Sequence, residues 1–348
     1  MHLLFFKVII IISLFQLCEN KDGGKAYRIP LNDGNAIPTL GLGTWLGFAG
    51  VVALETSNHV VEDPVNWALE AGYRLIDTAA AYHDEEQVGA GVRASGVPRE
   101  NVFIVTKLLF NEQREVVTSL RNSLSRLNMS YVDLYLIHSP IAYKPDLSDF
   151  DIVDYVDTWK GMEEAKKLGL AKSIGISNFN ISQIERLLAH SEIKPSVLQV
   201  EVNLDLAQNK LVDFCKSHDI VVMAYTPFGS LFTKDTKASL TKADDPTLVA
   251  IAKKYGKTTA QIALRNLVQR GLVPIPKTLK KSRVEENINV FDFELTKDEM
   301  ETLGKFNKDH RTLFPTFWQN HPYNPFERVD NPIPDPILKK ISESKQNA

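Results

Sequence analysis

From about residue 26 onward, short runs rich in β-branched residues alternate with longer stretches whose apolar residues recur every three or four positions. Alternation of these two periods predicts strands followed by amphipathic helices, that is, parallel βαβ units. Strands are predicted at Leu40–Gly43, Arg74–Ile76, Val102–Thr106, Val132–Ile137, Ala171–Ile176, Val197–Val200, Ile220–Ala224 and Leu272–Ile275, eight in all. Helices are predicted over Val116–Leu127, Val156–Leu168, Ile181–His190, Leu206–Ser217 and Thr247–Arg270. No Pro/Gly/Ser-rich linker interrupts the alternation, so the expected fold is α/β, a single (β/α)8 TIM barrel, rather than two domains. Tyr27–Ile29 and Ala36–Ile37 flank Asn32-Asp33-Gly34, a predicted hairpin that plugs the barrel floor. The segment from Phe306 to Pro336, rich in aromatics and proline, reads as a long loop over one face of the barrel.

With 348 residues, 44% of them apolar, the chain can bury a core of that size, and disordered and fibrous classes are excluded. Basic and acidic residues nearly balance, for a net charge of −3, and no stretch concentrates Lys and Arg as a nucleic-acid or anionic-membrane footprint would. Cys18 and Cys215 are too few for a disulfide framework or a cysteine zinc site, and no metal is expected. Residues 1–20 are a separate object: after Lys7, Val8–Leu17 is an apolar run that suits the core of a secretory signal and is too short to span a bilayer. Cys18-Glu19-Asn20 lacks the small-x-small cleavage pattern. The expected organisation is a signal peptide at 1–20, a barrel at 26–330 and a tail at 331–348. The expected location is the secretory pathway or outside the cell, with the cytoplasm as the alternative. Two sequons, Asn128-Met129-Ser130 and Asn180-Ile181-Ser182, matter only on the secretory route.

In an α/β barrel the reactive site lies where strands end and helices have not yet begun. The residues there are Asp77, Lys107, His138, Ser177 with Asn178, Glu201 just after Gln199, Tyr225 and Lys277. Any one of them is ordinarily a helix cap or a packed polar group. Together, an aspartate, a lysine and a histidine after apolar strands converge on one cleft. Asp77 and Lys107 are expected to form an ion pair from neighbouring strands, with Tyr82 brought onto the lysine. The ammonium should lower the phenol pKa toward usefulness as an acid or base. His138 can align and polarise a carbonyl oxygen. There is no nucleophile beside a base, no H-E-x-x-H, no Walker A and no G-x-G-x-x-G, which argues against hydrolase and Rossmann readings.

Gly41-Leu42-Gly43-Thr44-Trp45, Leu75-Ile76-Asp77 with Tyr82, Thr106-Lys107-Leu108, Asp133–His138, Gly175-Ile176-Ser177-Asn178-Phe179 and Ile275-Pro276-Lys277 resemble the motifs of the aldo-keto reductase family, aldose reductase-like members above all. The resemblance runs from about residue 26 to 330. It implies hydride transfer between a nicotinamide dinucleotide and a carbonyl or alcohol without metal, in a monomer. Tyr82 would be the general acid, Asp77 and Lys107 its tuners and His138 the orienting donor, with Trp45 also bordering the substrate. Thr44, Trp45 and Asp77 would border the cofactor. Ser177, Asn178 and Gln199 would hold its carboxamide and Tyr225 would stack on its ring, while Thr226, Phe228 and Ser230 line the pyrophosphate. Lys277, Thr278, Leu279 and Arg283 would clamp a 2′-phosphate and Glu286 with Asn287 the adenine, which favours NADPH over NADH.

This chain departs from the family pattern at the substrate mouth: Ser139, His83, Asn203-Leu204, and a longer loop from Leu46 to Val61. Those positions bear on which carbonyl is taken. Trp45 and the tail aromatics Phe314, Phe317 and Trp318 are candidates for an apolar pocket. Two rival expectations stand beside the reductase reading: a nucleotide-binding barrel without catalysis, and net alcohol oxidation by the same residues.

Overall fold

The computed structural model describes residues 22–47, 60–233 and 241–335. Residues 1–20 and much of the 46–61 loop, singled out above, lie outside the described residues. The chain opens with an antiparallel hairpin, β1 (Arg28–Pro30) and β2 (Ala36–Pro38), in which Arg28 pairs with Pro38. The barrel strands follow: β3 (Leu42–Gly43), β4 (Leu75–Asp77), β5 (Phe103–Leu108) and β6 (Val132–Ile137). A second hairpin, β7 (Ala142–Tyr143) with β8 (Phe150–Asp151), intervenes before β9 (Ala171–Ser177), β10 (Val197–Glu201), β11 (Val221–Tyr225) and β12 (Val273–Pro274). The helices between strands are α1 (Glu62–Glu70), α2 (Glu85–Ala94), α3 (Val116–Leu127), α4 (Tyr155–Lys167), α5 (Ile181–His190) and α6 (Asn209–Ser217). They are followed by α7 (Pro246–Tyr255), α8 (Thr259–Gln269), α9 (Lys281–Ile288) and α10 (Lys297–Gly304).

Eight strands lie side by side in the order β12-β11-β10-β9-β6-β5-β4-β3, all parallel. The first and last meet as well: Gly41 N donates to Pro274 O and Gly43 N to Pro276 O, each at 3.1 Å, which closes the ring. A Cβ on Gly43 would lie 2.9 Å from Ile275 O, so closure requires glycine there. The protein is thus a (β/α)8 barrel.

Strand periodicity sorts the side chains into two cores. Leu75, Phe103, Val105, Leu134, Leu136, Val197, Met223, Val273 and Ile275 point inward and pack with Leu31 and Ile37 of the first hairpin. Ile76, Ile104, Ile137, Ile174, Leu198 and Val222 point outward onto the apolar faces of the helices. The hairpin seals the floor through polar contacts too: Asn32 Nδ2 reaches Pro195 O at 3.0 Å and Lys166 pairs with Asp33 at 2.6 Å.

The stretch expected as a single helix from Thr247 to Arg270 is two. Gly256 adopts φ +63° and ends α7, and the Thr258 and Gln261 capping box starts α8. The helix expected from Leu206 begins instead at Asn209, because the Asn203 side chain accepts from the Asp205 and Leu206 amides and holds that segment in a turn. Among the described residues no helix is long and apolar enough to cross a membrane.

After α10 the chain runs back across the face where the strands end. Thr312 N and Leu313 N each donate to the Glu201 carboxylate at 2.8 Å, and Gln183 Nε2 reaches Tyr323 O at 2.9 Å. Trp318 Nε1 donates to Tyr143 OH at 3.0 Å, and that hydroxyl donates to Asp335 at 2.7 Å. Ile141, Tyr143, Phe317 and Trp318 form an apolar cluster that packs this segment down.

Candidate active site

Period two along each strand decides which polar groups reach the cleft. Asp77 follows inward-facing Leu75 by two, Lys107 follows Val105, His138 follows Leu136, Gln199 follows Val197 and Tyr225 follows Met223. All five therefore stand as a polar layer on top of the inner apolar core.

Lys107 is fully buried and Asp77 nearly so; Lys107 Nζ lies 2.8 Å from Asp77 Oδ2. The same ammonium donates to Thr78 O at 2.9 Å and to Tyr82 OH at 3.2 Å. Gln199 Nε2 donates to the other Asp77 oxygen at 2.7 Å. Burial pushes the Asp77 carboxyl up and the Lys107 ammonium down, and each partner opposes the shift of the other. The pair remains an ion pair because each charge is hydrogen-bonded on more than one side.

Tyr82 is half-buried, brought back over the cleft by a short turn through Ala80–Tyr82 that ends at His83 with φ +57°. The expectation that Lys107 lowers its pKa is overturned. Burial is the largest influence and the charges of Asp77 and Asp84 add to it, so the phenol is held well above its ordinary range. The ammonium cannot dominate because Asp77 sits as close to it as a hydrogen bond allows. Tyr82 therefore keeps its proton at neutral pH, as a proton donor must.

The His138 ring meets Tyr82 edge to face at 5.6 Å and stacks on Phe110 at 4.7 Å. Burial, reinforced by Lys107, drives the imidazole pKa well below its usual value, so it is neutral and one ring nitrogen carries a hydrogen. Its Nδ1 is buried with no hydrogen-bond partner among the described residues. The Trp45 ring also meets Tyr82, tilted by 34° at 6.3 Å.

Beside this centre runs a second line of polar groups. Tyr225 OH donates to Asn178 Oδ1 at 2.8 Å, while Asn178 Nδ2 donates to His138 O at 2.9 Å and to Ser177 Oγ at 3.2 Å. Asn178 stands in the left-handed region, φ +59°, a conformation that asparagine tolerates better than most residues. Thr44 is buried with its side chain against the Asp84 carboxyl, and Thr44 N donates to Asp77 O at 3.1 Å. Thr226, Phe228 and Ser230 follow β11, where Ser230 Oγ donates to Asp205 at 2.6 Å and accepts from Lys242 at 2.7 Å. Its hydroxyl is therefore committed within the protein.

Farther along the same rim, Thr278 Oγ1 accepts from Lys280 N at 3.1 Å, ahead of α9. Lys277, Leu279 and Arg283 are exposed, and neither cation makes an ion pair among the described residues. Glu286 Oε1 accepts from Thr258 and Asn287 is buried. Cations at a helix N-terminus make a receptor for an anionic group.

Four features were absent from the sequence reading: Phe110 against His138, Thr78 and Asp84 beneath Lys107, and Glu201 as the anchor of the tail. Tyr143 and Trp318 join by hydrogen bond; Phe314 meets Phe326 at 6.0 Å, and Phe110 meets Trp318 at 5.9 Å. That places aromatic side chains along one side of the cleft.

A closed (β/α)8 barrel with a buried aspartate–lysine pair aimed at a phenol defines an oxidoreductase-type site that handles a proton without a nucleophile. The chain belongs to the aldo/keto reductase family, whose model matches residues 39–308. It is 50% identical over 305 residues to the aldo-keto reductase AKR2E4 of Bombyx mori, covering 85% of this chain and 97% of that protein. The crystal structure of that protein in complex with NADP superposes with a TM-score of 0.81 at 48% identity, covering 86% of this chain and 99% of the other. The aldo-keto reductase AKR2E5 of the silkworm, Bombyx mori, complexed with NADPH, superposes with a TM-score of 0.83 at 41% identity, covering 90% and 97%.

Proposed function

We propose that the protein reduces the carbonyl of an aldehyde or ketone to an alcohol with NADPH, Tyr82 donating the proton. The observation that carries this reading is the continuous line Asp77 Oδ2, Lys107 Nζ, Tyr82 OH, with neutral His138 across the phenol. The residues present fit the cofactor. Asn178 and Gln199 bring amide groups to the strand ends, and exposed Lys277 and Arg283 stand beside the α9 N-terminus with no ion-pair partner among the described residues. Two relatives solved in complex with NADP and with NADPH support the choice.

When bound, NADPH supplies the hydride that reaches the carbonyl carbon. The chain's residues do the rest. His138 donates its ring hydrogen to the carbonyl oxygen and fixes the carbonyl against the phenol. Tyr82 then gives its proton to the oxygen as negative charge develops there. Lys107 stabilises the phenolate left behind, and Asp77 keeps Lys107 charged and aimed. A positioned acid of this kind contributes roughly 10²- to 10⁴-fold to the rate. Trp45, Phe110 and the tail aromatics exclude water and favour an apolar carbonyl compound.

The site is complete within one chain, which supports a monomer. Residues 1–20 support a secretory location, and the sequons separate on structure. Asn128 is exposed at the C-terminus of α3, whereas the Asn180 side chain caps α5 and touches Pro325 O at 3.4 Å. A single glycan at Asn128 on the full chain, removed by an N-glycosidase, is the expected mark of that route. An unglycosylated cytoplasmic product would refute it.

The test of function is to titrate purified protein with NADPH and NADH by intrinsic fluorescence and to follow NADPH oxidation with a panel of aldehydes and ketones. Carbonyl-dependent oxidation is expected. Binding without turnover would support the noncatalytic barrel instead.

A further inference from the structure

Asp84 opens α2 from the N-cap position, yet its side chain makes no bond to the α2 amides. An aspartate at that position ordinarily caps its helix. Here the side chain is buried and turned the other way: Oδ1 accepts from Thr78 Oγ1 at 2.5 Å, and the Thr44 side chain lies against the same carboxyl. Thr78 is the residue whose carbonyl oxygen takes a hydrogen bond from Lys107, and its own amide is fixed on Val105 O at 2.9 Å. A line of hydrogen bonds thus runs Asp84, Thr78, Lys107, Tyr82.

We propose that Asp84 is a positioning residue that, through Thr78 and Lys107 and through its own charge, opposes ionisation of Tyr82 and so biases the site toward reduction. This deepens the reductase reading above and rests on it. Asp84 contributes a second negative charge beneath a phenol already close to Asp77, and both oppose phenolate formation. Burial lifts the Asp84 carboxyl to about 6, so it is charged at neutral pH and loses that charge on mild acidification.

The groups facing it are few. Tyr82 comes from the turn and Lys107 from β5, with the uncharged Thr44, after β3, against the carboxyl. Glu85 of α2 is neutralised by Arg126 of α3 at 2.7 Å. Lys107 is already matched by Asp77. Lys107 also opposes Asp84, but with Asp77 and Asp84 both ionised the three groups carry one net negative charge.

The test compares wild type with Asp84→Asn, which keeps the shape and an acceptor for Thr78. Tyr82 itself is titrated by near-ultraviolet tyrosinate absorbance, each spectrum differenced against the same protein carrying Tyr82→Phe. Carbonyl reduction and alcohol oxidation are measured across the same pH range. In Asp84→Asn the Tyr82 midpoint and the alkaline limb of reduction should move down by about one unit. Alcohol oxidation at neutral pH should rise several-fold, and NADPH affinity should not change. Coincident titrations and profiles would overturn the proposal.

Should Asp84→Asn fail to fold, Asp84→Ser serves: it removes the same charge and keeps an acceptor for Thr78, so the Tyr82 midpoint should fall as in Asp84→Asn, while Asp84→Glu, which keeps a charge, should largely preserve it. An unmoved midpoint in Asp84→Ser would overturn the proposal. The absorbance titration needs no turnover. A wild type that reduces no carbonyl while its Tyr82 midpoint still follows Asp84 would therefore sink the reductase reading alone.

Discussion

Lys107 exposes none of its side chain, and its ammonium lies 2.8 Å from the carboxylate of Asp77, itself only 3% exposed. Replacing Lys107 with methionine keeps most of the volume and removes the charge, leaving Asp77 buried with Gln199 as its remaining side-chain donor. Removing one member of a buried pair costs about 3–5 kcal/mol, because the other charge is left without compensation. The penalty has a ceiling: Asp77 can take up a proton instead, at about 1.4 kcal/mol for each unit by which the pH exceeds the ordinary carboxyl value of 3.8. In Lys107→Met the Asp77 carboxyl, already raised by burial, rises further, so the loss should be largest at neutral pH and shrink on acidification. The double variant Asp77→Asn, Lys107→Met has no buried charge at this spot and should regain much of the loss, with a coupling of about 2–3 kcal/mol. Urea unfolding of the four proteins without cofactor, at neutral and mildly acidic pH, measures the cycle. Additive single losses, or a Lys107→Met loss below about 1 kcal/mol at neutral pH, would refute the reasoning. The double variant should nevertheless be catalytically dead, which would place the reason for the pair in the chemistry and not in stability.

Other consequences follow from the same geometry. Tyr82→Phe should bind NADPH as wild type does and lose roughly 10²- to 10⁴-fold in carbonyl turnover, read by single-turnover oxidation of NADPH. Asp84→Asn should make the protein more stable at neutral pH. A carboxyl raised from 3.8 to about 6 in the fold destabilises the charged state, by about 3 kcal/mol fully developed above the folded pKa and absent below the unfolded one. Unfolding curves of the two proteins should therefore separate at pH 7 and converge near pH 4; parallel curves would refute this. Arg283→Ala should weaken NADPH binding roughly 10- to 100-fold and leave NADH binding nearly unchanged, since a charge-assisted bond to phosphate is lost only where there is a phosphate.

How far the sequence spoke for the site depended on whether the answer was local. Asp77, Lys107, His138, Gln199 and Tyr225 were legible because each stands two residues beyond an inward apolar residue, and period two is a property of the strand alone. The break between α7 and α8 was legible too and went unread, since Gly256 followed by Thr258 and Gln261 is a stop and a start signal in the chain itself. The direction of the Tyr82 shift was not legible. It is set by burial and by how closely Asp77 and Asp84 approach compared with Lys107, and no spacing encodes that. Asp84 was hidden by its own resemblance to an ordinary helix cap before Glu85, a role its side chain does not take in the fold. Glu201 was placed at its strand end, but the Thr312 and Leu313 amides it holds are more than a hundred residues away in the chain. The residues that bear the chemistry therefore follow from strand pattern, whereas those that set its pH and hold the tail across its face follow from what packs opposite. A change at Asp84 or Glu201 should accordingly alter the conditions under which Tyr82 works and leave its chemical task unchanged.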